Sequence, residues 1–206
     1  TLFAVLSAAA PSPAQTASLD DMLTAARRPI VVRDGRLEGA GADVLKAAMA
    51  ATPYVLIGED HGLAEVPLFS AAVFRELAAR GTRDIVVEVG PEAGRRLTGV
   101  LTAADPDADI AAWMRRYPFS LAFYNLRQEF AFLRDARAAA GPGLRVVGID
   151  QELMGASRML LESIGTPDPA LPGLLAQERD AYEKAAATGN PLDLFMLTGS
   201  ADALTG

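Results

Sequence analysis

The only histidine of this 206-residue chain, His61, stands directly after two carboxylates, Glu59 and Asp60, at the end of the stretch VLIGEDHG (55–62). Near pH 7 a neutral imidazole takes a proton from water or from a substrate hydroxyl, and a neighbouring carboxylate raises its basicity and fixes its tautomer. The same imidazole with one or two carboxylates also holds a divalent metal while leaving positions open for water. Two further acids end comparable apolar runs: Glu88 inside VVEVG (86–90) and Asp150 at the end of VVGID (146–150), with Gln151 and Glu152 behind it. Glu65 follows four residues after His61, in the first turn of the next expected helix, where a carboxylate favours the helix dipole in any case.

The chain has no cysteine, which removes thiolate nucleophiles, disulfides and zinc–thiolate sites. It carries no G-x-S-x-G elbow, no Walker A loop and no G-x-G-x-x-G, so neither a serine nucleophile nor a nucleotide cofactor is supported. The net charge of −7 opposes a nucleic-acid partner, whose phosphates require clustered Lys and Arg. A small molecule or a peptide is the expected substrate class.

These residues need a scaffold that brings them together. YVLIGE (54–59) reads as a strand buried on both faces. Val66, Phe69, Val73 and Leu77 then mark one stripe of an amphipathic helix over 64–80, with Pro67 in its first turn. RDIVVEVG (83–90) reads as a second strand and LRVVGID (144–150) as a third. Between them lies a helical excursion, with helices from Pro91 to Leu101, from Asp105 or Asp107 to before Pro118, and one marked by Phe123, Leu126, Phe130 and Leu133. The expectation is an α/β fold: a mostly parallel sheet flanked by helices, with a helical insertion between the second and third core strands. In such a sheet, loops at the C-terminal strand ends converge on the ligand. That edge would collect Glu59, His61, Glu88 and Asp150.

Ahead of this core, LDDMLTAARR (19–28) predicts a short helix capped by Ser18, and IVVRDGRLEG (30–39) a hairpin turning at Asp34-Gly35. A helix over 42–51 follows. Leu2 to Ala10 is a short apolar run before Pro, Ser and Ala, resembling the core and cleavage zone of a secretory signal peptide. Residues 1–17 are therefore read as the remnant of an export signal and linker, too short for a permanent membrane anchor, and the protein as exported to the periplasm or beyond. Residues 18–206 are read as a single α/β domain whose C-terminus is cut short in mid-pattern.

GEDH (58–61) fits a G-x-x-H signature and resembles the superfamily of ChaN-like haem-binding lipoproteins, TIKI/TraB-type metalloproteases and erythromycin esterases. HGLAE (61–65) is similar to the H-G-x-x-E stretch of the esterase branch, Glu88 matches its pattern, and WMRRYPF (113–119), EFAFLRDAR (129–137) and VVGIDQE (146–152) resemble, in that order, its W/R-rich helix, second helix and strand ending in G-x-D. The resemblance spans roughly residues 50–155 and implies an exported hydrolase of ester or amide bonds. In it His61 would act as general base or metal ligand, Glu59 and Glu88 would orient it or share the metal, and Glu65 and Asp150 would support substrate binding. One residue separates Glu59 from His61, where the esterases usually have two, and this spacing is closer to the ChaN type. The superfamily also draws further histidines from its C-terminal part, and none follows His61. The alternative the resemblance implies is a binding protein of ChaN type that holds haem or a metal without turnover.

Residue by residue, plainer roles compete: His61 as a loop or capping residue, Glu88 bonded to a neighbouring loop at the wet end of its strand, Asp150 as a helix cap. Taken together they give a third reading, an α/β domain whose polar edge is idle.

Overall fold

The computed structural model describes residues 18–164 and 168–199; the export-signal reading of residues 1–17 lies outside them, as do the last seven residues. Helix α1 (Leu19–Ala26) begins at Ser18, whose hydroxyl accepts from the Asp21 N–H while the Asp21 carboxylate accepts from the Ser18 N–H, a reciprocal cap. Strands β1 (Val31–Arg33) and β2 (Arg36–Glu38) pair antiparallel around Asp34 and Gly35. Both turn residues have positive φ, 49° and 68°, as a two-residue hairpin turn of this hand requires. Helices α2 (Ala40–Ala50) and α3 (Glu65–Ala78) follow, and Pro67 is indeed in the first turn of α3.

The expected sheet is corrected. Among the described residues there are two two-stranded sheets, the β1–β2 hairpin and a parallel pair, β3 (Asp84–Val87) with β4 (Arg145–Gly148); helices make up most of the rest. Helices α4 (Pro91–Thr102), α5 (Pro106–Arg116) and α6 (Arg127–Ala140) separate β3 from β4, as the insertion predicts. Helices α7 (Ser157–Ser163), α8 (Leu171–Thr188) and α9 (Phe195–Thr198) complete the described chain. No helix among the described residues is long and apolar enough to cross a membrane.

Three local facts explain why the sheet stays small. The segment 54–59, read from its apolar run as the first strand, pairs with no strand. Its burial alternates, with Tyr54 and Leu56 exposed and Val55 and Ile57 half-buried against the α2–α3 side, so the run has one covered face rather than two. On the far side of the pair, Val146 N–H donates to the Thr98 hydroxyl of α4 at 2.8 Å. The outward backbone of β4 is thus met by a helix side chain instead of another strand. β3 and β4 also bury only one face: Ile85, Val87 and Val146 are inside, whereas Val86 and Val147 are exposed. Glu88 therefore sits on an open face, its side chain 59% exposed.

The register of the parallel pair is fixed at its entry, where Arg145 sits opposite Asp84 and donates twice to its carboxylate, at 2.6 and 2.8 Å. The Arg145 hydrogen bonds hold the Asp84 carboxyl below its ordinary value. The main core lies under this pair, where Leu97, Leu133, Met159 and Tyr124 are almost wholly enclosed and Trp113 donates to the buried Ser120 hydroxyl at 2.9 Å.

The end of α5 is tied to α7 through Glu162, which accepts from Tyr117 (2.6 Å), Arg116 (2.8 Å) and Arg158 (2.9 Å). Burial raises the Glu162 carboxyl, but these three donors more than offset it and leave it at about 2, below its ordinary 4.5. A carboxyl depressed on folding contributes stability above its unfolded value and loses that contribution as pH falls toward the folded one. The melting temperature should therefore fall between about pH 4.5 and pH 2 more steeply in the parent protein than in Glu162→Gln, as thermal melts across that range would record. Parallel profiles would show that the network adds nothing to folding.

Candidate functional site

The site forms where the 53–60 segment, the end of β3 and the loop before α6 meet. Gly62, at φ 92°, lets the chain turn sharply out of His61 toward α3. His61 Nε2 then faces Glu88 Oε2 at 3.5 Å and Glu59 Oε2 at 3.8 Å. One potential ligand atom from each of the three lies within 4.8 Å of the others. Both imidazole–carboxylate separations are too long for hydrogen bonds. They are close to the spacing of about 3.4 Å between ligand atoms that tetrahedral bonds of about 2.1 Å to a shared divalent metal would give.

Two aromatic residues hold this arrangement. Phe123 stacks on the His61 imidazole, with ring centroids 3.4 Å apart and the planes 1° from parallel. Tyr124, almost fully buried, donates its hydroxyl to Glu59 Oε1 at 3.0 Å, which leaves Oε2 on the side of His61. Burial, then the charge of Glu59 and the hydrogen bond to it, push the Tyr124 hydroxyl far above its ordinary value, so it remains a donor throughout the working range. The imidazole is thereby fixed by packing and one of its carboxylates by a hydrogen bond.

Of the residues the sequence points to, Glu59, His61 and Glu88 are brought together. Glu65 is not: it is the first residue of α3 and exposed, a place that suits the helix dipole. Asp150 is exposed beyond β4, and its Oδ1 accepts from the Gln151 N–H at 2.7 Å. It reaches the site only as part of the wall of a groove of about 1010 Å³ between 53–59 and β3, whose wall also includes Glu59 and Glu88. Asp150 caps no helix; that task falls to Glu152, which accepts from the Glu92 N–H in the first turn of α4 at 2.6 Å.

Sequence reasoning missed Phe123, Tyr124 and Glu129. The spacing of Phe123, Leu126, Phe130 and Leu133 puts Phe123 on the stripe of a helix, but α6 starts only at Arg127 and Phe123 lies in the preceding loop at φ 59°. Glu129 left a signal: with Leu133, Ala136 and Ala140 it falls on the buried stripe of α6, an unusual place for a carboxylate.

Comparison with models of known protein families, with curated proteins and with solved structures finds no match for this chain.

Proposed function

We propose that the protein is a hydrolase of ester or amide bonds in which Glu59, His61 and Glu88 hold a divalent metal and a water. The observation that carries this is the pair of imidazole–carboxylate distances, 3.5 and 3.8 Å, too long for direct hydrogen bonds and suited to a shared ion. The donor set, one imidazole nitrogen and two carboxylate oxygens, fits zinc or manganese and leaves coordination positions free. The order of G-x-x-H, Glu88 and G-x-D along the chain gives the same reading by resemblance. The resemblance of residues 1–17 to an export signal and linker supports an activity outside the cytoplasm.

When bound, such an ion supplies Lewis acidity to a water and to a substrate carbonyl. The protein's own residues do the rest. His61 is held face-on by Phe123, and Glu59 is held by Tyr124, so neither reorients as the substrate arrives. The Glu88 side chain is 59% exposed, and its carboxylate faces solvent as well as His61. Its Oε2 is the oxygen on the side of His61, and its other carboxylate oxygen would take the proton that the water loses as the water oxygen bonds to the carbonyl carbon. It then returns that proton to the leaving oxygen or nitrogen as the scissile bond breaks. No electron donor or acceptor is needed.

A panel of activated esters and amides, assayed after chelator dialysis and after return of Zn²⁺ or Mn²⁺, tests the reading. Metal-dependent turnover is expected, and Glu88→Gln should lower kcat by about 10²–10⁴-fold, the usual worth of a positioned acid–base group. Because Glu88 is exposed, its melting temperature should stay near that of the parent protein. Stoichiometric haem or metal without turnover would move the protein to the binding class, and neither would leave the polar edge idle.

A further inference from the structure

We propose that the hydrolysed amide belongs to an extended peptide, which adds itself as a strand to the free edge of β3; this rests on the hydrolase reading of Glu59, His61 and Glu88. In the parallel pair, the Arg83 C=O accepts from the Arg145 N–H and the Val87 C=O from the Ile149 N–H. Backbone direction alternates along a strand, so Asp84 and Val86 turn their N–H and C=O groups away from β4. Among the described residues none of these groups has a hydrogen-bond partner. The edge also lacks the usual devices that keep edges from pairing. No proline or lysine stands in β3, its register with β4 runs without a bulge, and its one charge, Asp84, is taken up by Arg145.

This edge is one wall of the groove of about 1010 Å³, and residues 53–59 are the other. From Val55 to Glu59 no backbone group is hydrogen-bonded among the described residues, so both walls offer unpaired N–H and C=O groups. Phe74 and Leu77 of α3 and Phe132 of α6 add apolar surface. An apolar small molecule would meet these side chains and none of the backbone groups. An extended peptide meets both, because its N–H and C=O groups point sideways to the walls while alternate side chains reach the apolar residues. The groove also leads to the site. The Val89 N–H donates to the Val87 C=O at 2.9 Å, a three-residue turn centred on Glu88 that ends the edge where that carboxylate faces His61. A peptide lying on β3 thus brings a backbone carbonyl to Glu88. There the water oxygen bonds to the carbonyl carbon, the C–N bond breaks, and the amine nitrogen leaves with the water's proton. Glu59, Glu88 and Asp150 line this end, whereas the one arginine of the walls, Arg83, lies at the start of β3. With both glutamates on the metal, Asp150 remains to favour a basic side chain beside the scissile bond.

The probe is a fluorescein-labelled peptide of alternating valine and threonine closed by one lysine, with two counterparts N-methylated on its odd or its even amides. Fluorescence anisotropy measures binding to the full chain, and mass spectrometry after loading with Zn²⁺ or Mn²⁺ measures cleavage beside the lysine. The unmodified peptide should bind and be cleaved, and at least one N-methylated peptide should bind about tenfold more weakly for its lost hydrogen bonds. Exchanging the lysine for glutamate should also weaken binding, and equal binding would overturn the charge match. Val86→Pro deletes a groove-facing N–H and leaves the ladder to β4 intact, so it should weaken binding about tenfold with the circular dichroism unchanged. Turnover of small activated esters without binding of any peptide would overturn the peptide assignment and leave the hydrolase reading standing. Binding that neither N-methylation weakens would overturn strand addition, and a dimer that Val86→Pro dissociates would give the edge to a second copy instead. Peptide bound but left uncleaved would overturn its role as substrate, and if small esters are untouched too, the hydrolase reading falls with it. If Val86→Pro does not fold, the N-methylated series on the parent protein still decides.

Discussion

Replacing His61 with alanine should abolish hydrolysis while the protein remains folded. The imidazole is the only nitrogen ligand of the Glu59–His61–Glu88 group, so its removal leaves two like-charged carboxylates with nothing between them. Metal affinity and turnover should fall together, the latter by about 10²–10⁴-fold or to background. The structural cost is small by comparison. His61 is partly exposed, and its stack on Phe123 is worth about 0.5–1.5 kcal/mol. Circular dichroism and urea titration measure the fold, and kcat with the bound-metal count measures the site. An alanine variant that keeps its kcat would remove His61 from the mechanism altogether.

Leu133→Ala should have the opposite signature, a large loss of stability with the chemistry of each folded molecule little changed. Leu133 is fully enclosed on α6, among the core residues that pack under the β3–β4 pair. Truncation removes the transfer energy of the buried methyl groups and leaves a cavity, together costing about 2–5 kcal/mol. For a chain of this size that lowers the melting temperature on the order of 10 °C. Urea unfolding should show a lower midpoint with an unchanged slope. A cost below about 1 kcal/mol would mean that α6 is not packed into the core as described.

Much of the local structure was legible in the sequence. The Ser18 cap, the Asp34-Gly35 turn, the proline at the head of α3 and the helical insertion between β3 and β4 each follow from short-range chemistry that needs no partner. What failed was the inference from apolar runs to a sheet. Four hydrophobic residues in a row describe a strand covered on two sides only if something covers the second side. Leu56, Val86 and Val147 are apolar and yet exposed. Pairing is a property of two segments, and the 54–59 run gives no hint of whether its partner is present. The site divides in the same way. His61 and its two glutamates were visible as chemistry-bearing residues at the ends of runs. Phe123 and Tyr124 come from elsewhere in the chain and look like ordinary core residues until the fold brings them together, and Glu129 stands out only as a carboxylate on the buried stripe of α6.

Phe119 and Phe123 both adopt φ 59°, the left-handed region that a bulky side chain occupies only under constraint. At position 123 the constrained residue is the one whose ring lies on His61. Glycine or asparagine would suit that backbone better, yet neither offers a ring to the imidazole. Relaxing the loop and keeping the histidine oriented are thus opposing demands on one residue. Selection for thermostability alone would drift toward the relaxed loop and lose the stack, so stability and activity are in trade-off at position 123.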